Sequence, residues 1–139
     1  MTAEDVMTPR RSIVLIPQDA SSDDILETIE AEGYSRIPVY ADTKDNIIGI
    51  LHTRDYLLKH TRPDFKLEDV MFQPAFVPTT AHLDALFKDM QKEHNHIVVV
   101  VNEYGETAGI VTMEDILEEI VGEIWDERDE AVEDIVQID

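Results

Sequence analysis

The chain of 139 residues contains no cysteine, which excludes disulfides, redox chemistry at a CxxC pair and zinc sites built from thiolates. No apolar run approaches the ~18–20 residues of a membrane-spanning helix, and the N-terminus lacks the pattern of a signal peptide. The glycine-rich loops of NTPases and dinucleotide enzymes and the GxSxG turn of hydrolases are also missing. We therefore predict a cytoplasmic protein with neither catalytic nor metal-binding residues.

Basic residues are scarce: 11 Lys and Arg stand against 31 Asp and Glu, a formal charge of −20. The imbalance is largest from Glu114 to Asp139, where twelve acids accompany the single base Arg128. Such a surface repels polyanions, so we expect no nucleic-acid partner. The acidic C-terminal segment is interpreted as a solvated tail, or alternatively as a surface that responds to Mg²⁺.

An internal repeat of roughly sixty residues organises the chain. We predict repeat 1 at residues 1–62, repeat 2 at 63–125 and an acidic extension at 126–139 that leads towards a downstream domain. The matching segments are Glu4–Met7 with Glu68–Met71 and, at an offset of 60, Arg36–Val39 with His96–Val99 and Gly49–Asp55 with Gly109–Asp115.

Each repeat has the pattern strand, helix, two strands and helix. In repeat 1 we predict a helix that Ser21 or Ser22 caps and Gly33 ends, and a second helix that begins near Thr53. In repeat 2 we predict a first helix capped by Thr80. The predicted strands are Ile13–Ile16, Arg36–Tyr40, Ile47–His52, Phe76–Val77, His96–Val101 and Thr107–Thr112. The last helix carries an apolar stripe of Ile116, Leu117, Ile120, Val121 and Ile124.

One sixty-residue unit is marginally stable by itself, because it buries only ~60% of the surface that its unfolded chain exposes. The two units should therefore pack sheet against sheet about an approximate two-fold axis. The predicted fold class is α/β (α+β), with two βαββα repeats forming one module.

These paired repeats, each with a Gly-Ile-hydrophobic strand followed by a helix, resemble the tandem CBS-domain pair. The segments Glu4–Arg10, Gly49–Asp55 and Gly109–Ile124 are similar to the CorC/HlyC family, described as magnesium and cobalt efflux or haemolysin-like proteins. The resemblance implies AMP or ATP as a regulatory ligand, with Mg²⁺ accompanying ATP, and a homodimer formed through the CBS helices. It also implies that the parent protein carries a membrane transport domain, which would hold this module at the inner face of the membrane.

Thr112 and Asp115 are the central candidates for ligand binding. Thr112 ends a predicted strand and Asp115 lies in the first turn of the next helix, so a hydroxyl, free amides and a carboxylate meet in a small volume. A carboxylate can accept both hydroxyls of a ribose diol, and a helix N-terminus favours phosphate. The same spacing is also that of a capping box, which remains the alternative.

A phosphate needs a positive partner, and Arg36 is our candidate because its planar guanidinium donates hydrogen bonds in pairs. Its alternative role is an ordinary surface ion pair. The resemblance implies that the residues before this strand in both repeats converge on the phosphate: Tyr34, Ser35, Asn95 and His96. For His96, a structural role without a ligand is equally open.

The resemblance also implies an apolar wall for the adenine, drawn from Met7 to Ile13 together with Pro38 and Met113. Met7 and Ile13 are equally compatible with a plain core. At the equivalent site around Asp55, His52 replaces the threonine, so we expect one nucleotide per chain. The competing functions are a ligand-free dimerisation or docking platform and a Mg²⁺ sensor.

Overall fold

The computed structural model describes residues 1–124. The predicted end of repeat 2 and the acidic extension 126–139 lie outside the described residues, as does most of the acidic C-terminal segment. The boundary between residues 62 and 63 stays a prediction. No helix within residues 1–124 is both long enough and apolar enough to cross a bilayer.

The order of elements repeats as the sequence predicts. The helices are α1 Ala3–Val6, α2 Ser22–Glu32, α3 Thr53–Lys59, α4 Leu83–Glu93 and α5 113–124, with 3₁₀ turns at Arg10–Ser12 and Leu67–Val70. The strands are β1 Thr8–Pro9, β2 Ile16–Pro17, β3 Arg36–Tyr40, β4 Ile47–His52, β5 Met71–Phe72, β6 Phe76–Pro78, β7 Ile97–Val101 and β8 Thr107–Thr112.

The two four-stranded sheets exchange their edge strands. One sheet has the order β2-β3-β4-β5, and the other has the order β1-β8-β7-β6. Thus β1, from the start of repeat 1, pairs antiparallel with β8 of repeat 2, and β5, from the start of repeat 2, pairs antiparallel with β4 of repeat 1. Each repeat therefore completes the sheet of the other.

Two glycines allow the exchanged strands to approach closely. A Cβ atom on Gly109 would lie 2.7 Å from the sulfur of Met7, and one on Gly49 would collide with the Met71 side chain. Because these positions are equivalent in the two repeats, the Gly-Ile pair of each copy marks the crossing of a strand from the other copy.

The two sheets pack against each other through a cluster that contains Ile47 and Ile50 from β4 and Ile97 and Val99 from β7. Each repeat also has its own core between sheet and helices, centred on Ile37 and Leu51 in repeat 1 and on Val98 and Val111 in repeat 2. The predicted fold class, two βαββα repeats in one module, is confirmed.

Two predicted boundaries differ from the observed ones by more than one residue. The strand predicted at Ile13–Ile16 begins only at Ile16, because the preceding residues cross between the two sheets. Helix α4 is not capped by Thr80; it begins at Leu83 with His82 as the N-cap residue. The amide of Leu83, the first residue of α4, instead donates to the carbonyl of Met1 at 3.0 Å, so a distant backbone carbonyl replaces the predicted side-chain cap.

The predicted start and end of α2 are confirmed. The Ser21 hydroxyl accepts a hydrogen bond from the amide of Asp24, and Gly33 follows the helix in the left-handed conformation with φ of 67°. Gly33 therefore turns the chain sharply into the segment before β3, where the candidate ligand residues begin.

Candidate functional site

The start of α5 is organised by two reciprocal hydrogen bonds. The amide of Asp115 donates to Thr112 Oγ1 at 3.1 Å, and the amide of Thr112 donates to Asp115 Oδ2 at 3.2 Å. The capping box that the sequence left as an alternative is therefore present. Within residues 1–124, Oδ1 of Asp115 has no hydrogen-bond donor, and the Thr112 hydroxyl can still donate its own proton. The box consequently leaves both side chains able to contact a ligand.

Thr112 and Asp115 open onto a cavity of about 470 Å³ between the two repeats, which we call cleft A. This volume lies within the range of small-molecule sites. Cleft A brings together seven of the eleven individually predicted ligand residues: Ile13, Tyr34, Ser35, Arg36, His96, Thr112 and Asp115. They come from segments of both repeats, so the site exists only in the assembled module.

Four predicted residues do not line cleft A: Asn95, which borders a second cavity described below, and three others. Pro38 is fully buried in β3, Met7 packs against Gly109 at the strand crossing, and Met113 packs against the core of repeat 2. Their proposed contacts with adenine stay untested; Pro38 is fully buried, whereas Met7 and Met113 are partly buried. The apolar wall of cleft A is formed instead by Ile13, Val14, Ile97 and Ile110.

Sequence reasoning missed several lining residues. Thr8 and Ser12 lie within the segment Met7 to Ile13 that the resemblance implied as a wall for adenine, although neither was singled out. Val14 follows that segment in the crossing from β1 to β2, and nothing local in the sequence shows that it borders a cavity. Glu114 could have been found, because it precedes Asp115 in the first turn of α5. The remaining missed residues are Gly33, Ile97 and Ile110.

The charge of cleft A is unusual for a site that would hold phosphate. Among the described residues, Arg36 is the only arginine or lysine in its lining, whereas Glu114 and Asp115 contribute two carboxylates. His96 adds a positive charge only when it is protonated. A bound anion would therefore depend on Arg36, on the amides at the start of α5 and on any cation that it carries with it.

A second cavity of about 540 Å³, cleft B, occupies the pseudo-equivalent position. Arg36 and His96 line it as well as cleft A, so both residues lie between the two cavities. The other residues that line cleft B are Ile50, Phe72, Gln73, Glu93, His94, Asn95 and Ile97. Asn95, predicted beside His96 before the strand of repeat 2, thus lies in cleft B.

The start of α3 differs from the start of α5. His52 Nδ1 accepts a hydrogen bond from the amide of Asp55 at 3.4 Å, which replaces the threonine cap of repeat 2. The His52 ring lies edge-on to Phe72 with ring centroids 5.7 Å apart. Neither His52 nor Asp55 lines cleft B, in contrast to Thr112 and Asp115 in cleft A.

No group of three or more His, Asp or Glu side chains within residues 1–124 is placed to hold a metal ion. His94 and His96, which are close in sequence, both border cleft B.

Two comparisons connect this geometry to known proteins by sequence. Residues 3–59 and 67–122 each match the model of the CBS domain. The chain is 43% identical over 140 residues to the magnesium and cobalt efflux protein CorC of Pasteurella multocida, covering 99% of this chain and 46% of that protein. It is 40% identical over 134 residues to Hemolysin C of Brachyspira hyodysenteriae, covering 96% and 50%. The chain thus spans about half the length of these curated relatives.

Solved structures of CBS domains also superpose on this chain. The CBS domain of a bacterial CNNM/CorC family Mg²⁺ transporter in complex with ATP superposes with a TM-score of 0.81 at 36% identity, covering 88% of both chains. A CBS-domain pair with bound AMP from Klebsiella pneumoniae superposes with a TM-score of 0.76 at 32% identity, covering 87% of this chain and 98% of the other.

Proposed function

The chain belongs to the CorC/hemolysin C family as a tandem pair of CBS domains, and from this premise we propose that cleft A binds an adenine nucleotide, AMP or ATP, as a regulatory ligand. The observation that carries the proposal is the position of Thr112 and Asp115 at the mouth of α5, opposite Arg36 in a single cavity of about 470 Å³. The AMP and ATP complexes of similar CBS domains support the choice of ligand.

Each part of the nucleotide has a suitable partner in cleft A. Asp115 Oδ1 accepts a ribose hydroxyl, and the hydroxyl of Thr112 supplies a second polar contact. Arg36 binds phosphate, with Ser35 and His96 beside it. The adenine base lies against the apolar wall formed by Ile13, Val14, Ile97 and Ile110.

The local charge favours ATP accompanied by Mg²⁺ over free ATP. Two carboxylates and one guanidinium line cleft A, and the whole chain carries a formal charge of −20. A triphosphate would add up to four negative charges to this environment, so neutralisation by a divalent cation lowers the electrostatic cost of binding. AMP carries less charge and depends less on Mg²⁺.

The module would act without catalysis, by reporting nucleotide state to a membrane transport domain of its parent protein on the cytoplasmic side. Helices α3 and α5 supply a surface for a homodimer, because both leave large apolar side chains exposed in the single chain. These residues are Leu57 and Leu58 on α3 and Leu117, Val121 and Ile124 on α5. Ile116 and Ile120, by contrast, pack against the core of repeat 2.

Titration calorimetry of the protein with AMP, ADP and ATP, each with and without Mg²⁺, tests the proposal. We expect saturable binding of AMP and of ATP with Mg²⁺ at one site per chain, and weaker binding of ATP when Mg²⁺ is removed. A protein that binds none of these nucleotides but remains dimeric in size-exclusion chromatography would contradict nucleotide sensing. That result would favour the docking platform, which the exposed faces of α3 and α5 also fit.

A further inference from the structure

The two repeats differ in length at one place. Met7 precedes Arg36 by 29 positions, whereas Met71 precedes His96 by 25, so repeat 1 has four additional residues. The strand registers locate them. Thr8 of β1 is equivalent to Phe72 of β5, and Ile16 of β2 is equivalent to Phe76 of β6. The additional residues therefore lie in the segment from 10 to 15, which crosses between the sheets and contains the 3₁₀ turn Arg10–Ser12.

Arg10, within this additional segment, connects the two repeats. Its guanidinium donates from Nη1 to Asp45 Oδ1 in the β3–β4 turn of repeat 1 and to the backbone carbonyl of Thr107 in repeat 2, the latter at 3.1 Å. The amide of Thr107 donates to the same Asp45 oxygen at 3.0 Å, and the Thr107 hydroxyl donates to the carbonyl of Lys44 at 2.9 Å. We call Arg10, Asp45 and Thr107 the clasp.

These contacts shift the pKa of both charged side chains. The hydrogen bond from Arg10, with a further one from the Thr107 amide, holds the pKa of the Asp45 carboxyl below its usual value. Asp45 correspondingly raises the pKa of Arg10. The side chains of Arg10 and Asp45 are 40% and 36% exposed, whereas Thr107 is buried, with 2% of its surface exposed. The clasp is therefore anchored at its buried end in β8.

The pseudo-equivalent positions cannot form the same contacts. At the offset of 60, Gly105 replaces Asp45 and Ile47 replaces Thr107. Gly105 has no side chain to accept a hydrogen bond, and Ile47 lies in the cluster between the sheets. Within residues 1–124 the clasp therefore occurs once, and it holds the segment whose residues Ser12, Ile13 and Val14 line cleft A.

Arg10 does not line cleft A, but its neighbours Thr8, Ser12, Ile13 and Val14 do. We propose that the clasp is a positioning device, in which Arg10, Asp45 and Thr107 hold the crossing segment as a fixed wall of cleft A and thereby raise its affinity for an adenine nucleotide. The effect on affinity rests on the proposed function, whereas the immobilisation of the segment does not.

The test compares Arg10→Ala with Arg11→Ala. Both remove one positive charge from the same 3₁₀ turn, and Arg11 forms no hydrogen bond or ion pair with residues 1–124. We expect Arg10→Ala to weaken binding of AMP or of ATP with Mg²⁺ by about fivefold in calorimetry, and Arg11→Ala to change it by less than about twofold. Equal affinities for the two variants would overturn the positioning role.

Asp45→Ala separates positioning from long-range charge. This variant makes the protein less negative, so a purely electrostatic effect would strengthen the binding of an anion, whereas loss of the clasp should weaken it. We expect weaker binding, and we expect the double variant Arg10→Ala/Asp45→Ala to lose no more than the larger single loss. Stronger binding by Asp45→Ala, or fully additive losses, would contradict the clasp. If the alanine variant does not fold, Asp45→Asn replaces it in the same binding measurement, because it removes the charge and keeps an acceptor oxygen.

Amide hydrogen exchange of the nucleotide-free protein tests the clasp independently of any ligand. Arg10→Ala should accelerate exchange at Thr107 and in residues 8–14 relative to Arg11→Ala, while the core strand β7 stays protected. If the wild-type protein binds no nucleotide, the proposed function fails, and the affinity effect fails with it. The clasp as an immobilising contact then stands or falls on this exchange result alone. Unchanged exchange would refute it.

Discussion

Cleft A and cleft B are formed by the same repeated unit, but the helix that should serve each one begins differently. At cleft A, the small threonine at position 112 caps α5 with its hydroxyl and leaves Asp115 open to the cavity. At cleft B, His52 caps α3 through its ring nitrogen, and the ring extends towards Phe72. Both residues perform the same capping task. Asp115 lines cleft A, whereas Asp55 does not line cleft B.

The segments that cover the two cavities differ as well. Repeat 1 has four additional residues in its crossing segment and the clasp that holds this segment, whereas repeat 2 has the shorter crossing and places Phe72 edge-on to His52 at the start of α3. The comparison shows that a few residues at the end of a strand make two copies of one unit border their cavities with different side chains.

The largest effect should follow from Asp115→Ala. The variant removes the carboxylate that accepts ribose hydroxyls through charge-assisted hydrogen bonds, which are worth roughly 1.5–3 kcal/mol each. We expect nucleotide affinity in calorimetry to fall at least about tenfold, with an unchanged circular dichroism spectrum. The matched control is Asp55→Ala, which should change affinity by less than about twofold. Equal losses in both variants would mean that cleft A is not the preferred site.

Arg36→Gln should have the next largest effect, because Arg36 is the one fixed cation that the described residues place in cleft A. We expect AMP and ATP with Mg²⁺ to bind about five- to tenfold more weakly, while adenosine, which lacks phosphate, binds as it does to the wild type. Arg54→Gln removes the same charge at an exposed position of α3 and controls for the field of the whole chain. An equal loss for adenosine would show that Arg36 supports the fold of the site and not the phosphate.

His52→Thr should create a second, weaker site by giving α3 the cap that α5 has. We expect calorimetry to show a second binding event, about tenfold weaker than the first, since cleft B lacks the clasp and shares Arg36 with cleft A. His82→Thr, at an exposed position before α4, serves as the control. A stoichiometry that remains at one nucleotide per chain would show that the histidine is not what closes the second site.

The smallest effect concerns acid stability on the side of cleft A. The folded state lowers the pKa of Asp45, so this carboxylate stabilises the protein above its unfolded pKa of about 4, and the contribution is lost as pH falls through the lower folded pKa. Wild type should therefore melt at a higher temperature than Asp45→Asn at pH 7, and the gap should shrink towards pH 3. Asp89→Asn, on the exposed face of α4, provides the control. A gap that does not depend on pH would contradict the role of the charge.

Most of the secondary structure and part of the site could be predicted from local patterns. The strands from Arg36 to Tyr40, Ile47 to His52 and Thr107 to Thr112 were predicted with their observed bounds, because β-branched runs and turn residues mark them directly. The errors at Ile13 and Thr80 have a common cause. Both segments have the right residues for a strand or a cap, but contacts with chain far away in the sequence determine what they form.

Local patterns in the chain suffice to predict the duplication, the order of elements and the pairing of a threonine with a carboxylate at the start of α5, because capping and periodicity act between neighbouring residues. Which of these side chains line cleft A depends on the packing of segments that are distant in the sequence. The exchange of β1 and β5 between the sheets brings Thr8, Ser12 and Val14 into the lining of cleft A and packs Met7 against Gly109. Pro38 is buried within β3. A strand has two faces that local sequence describes equally well, and only its distant partners determine which face is buried.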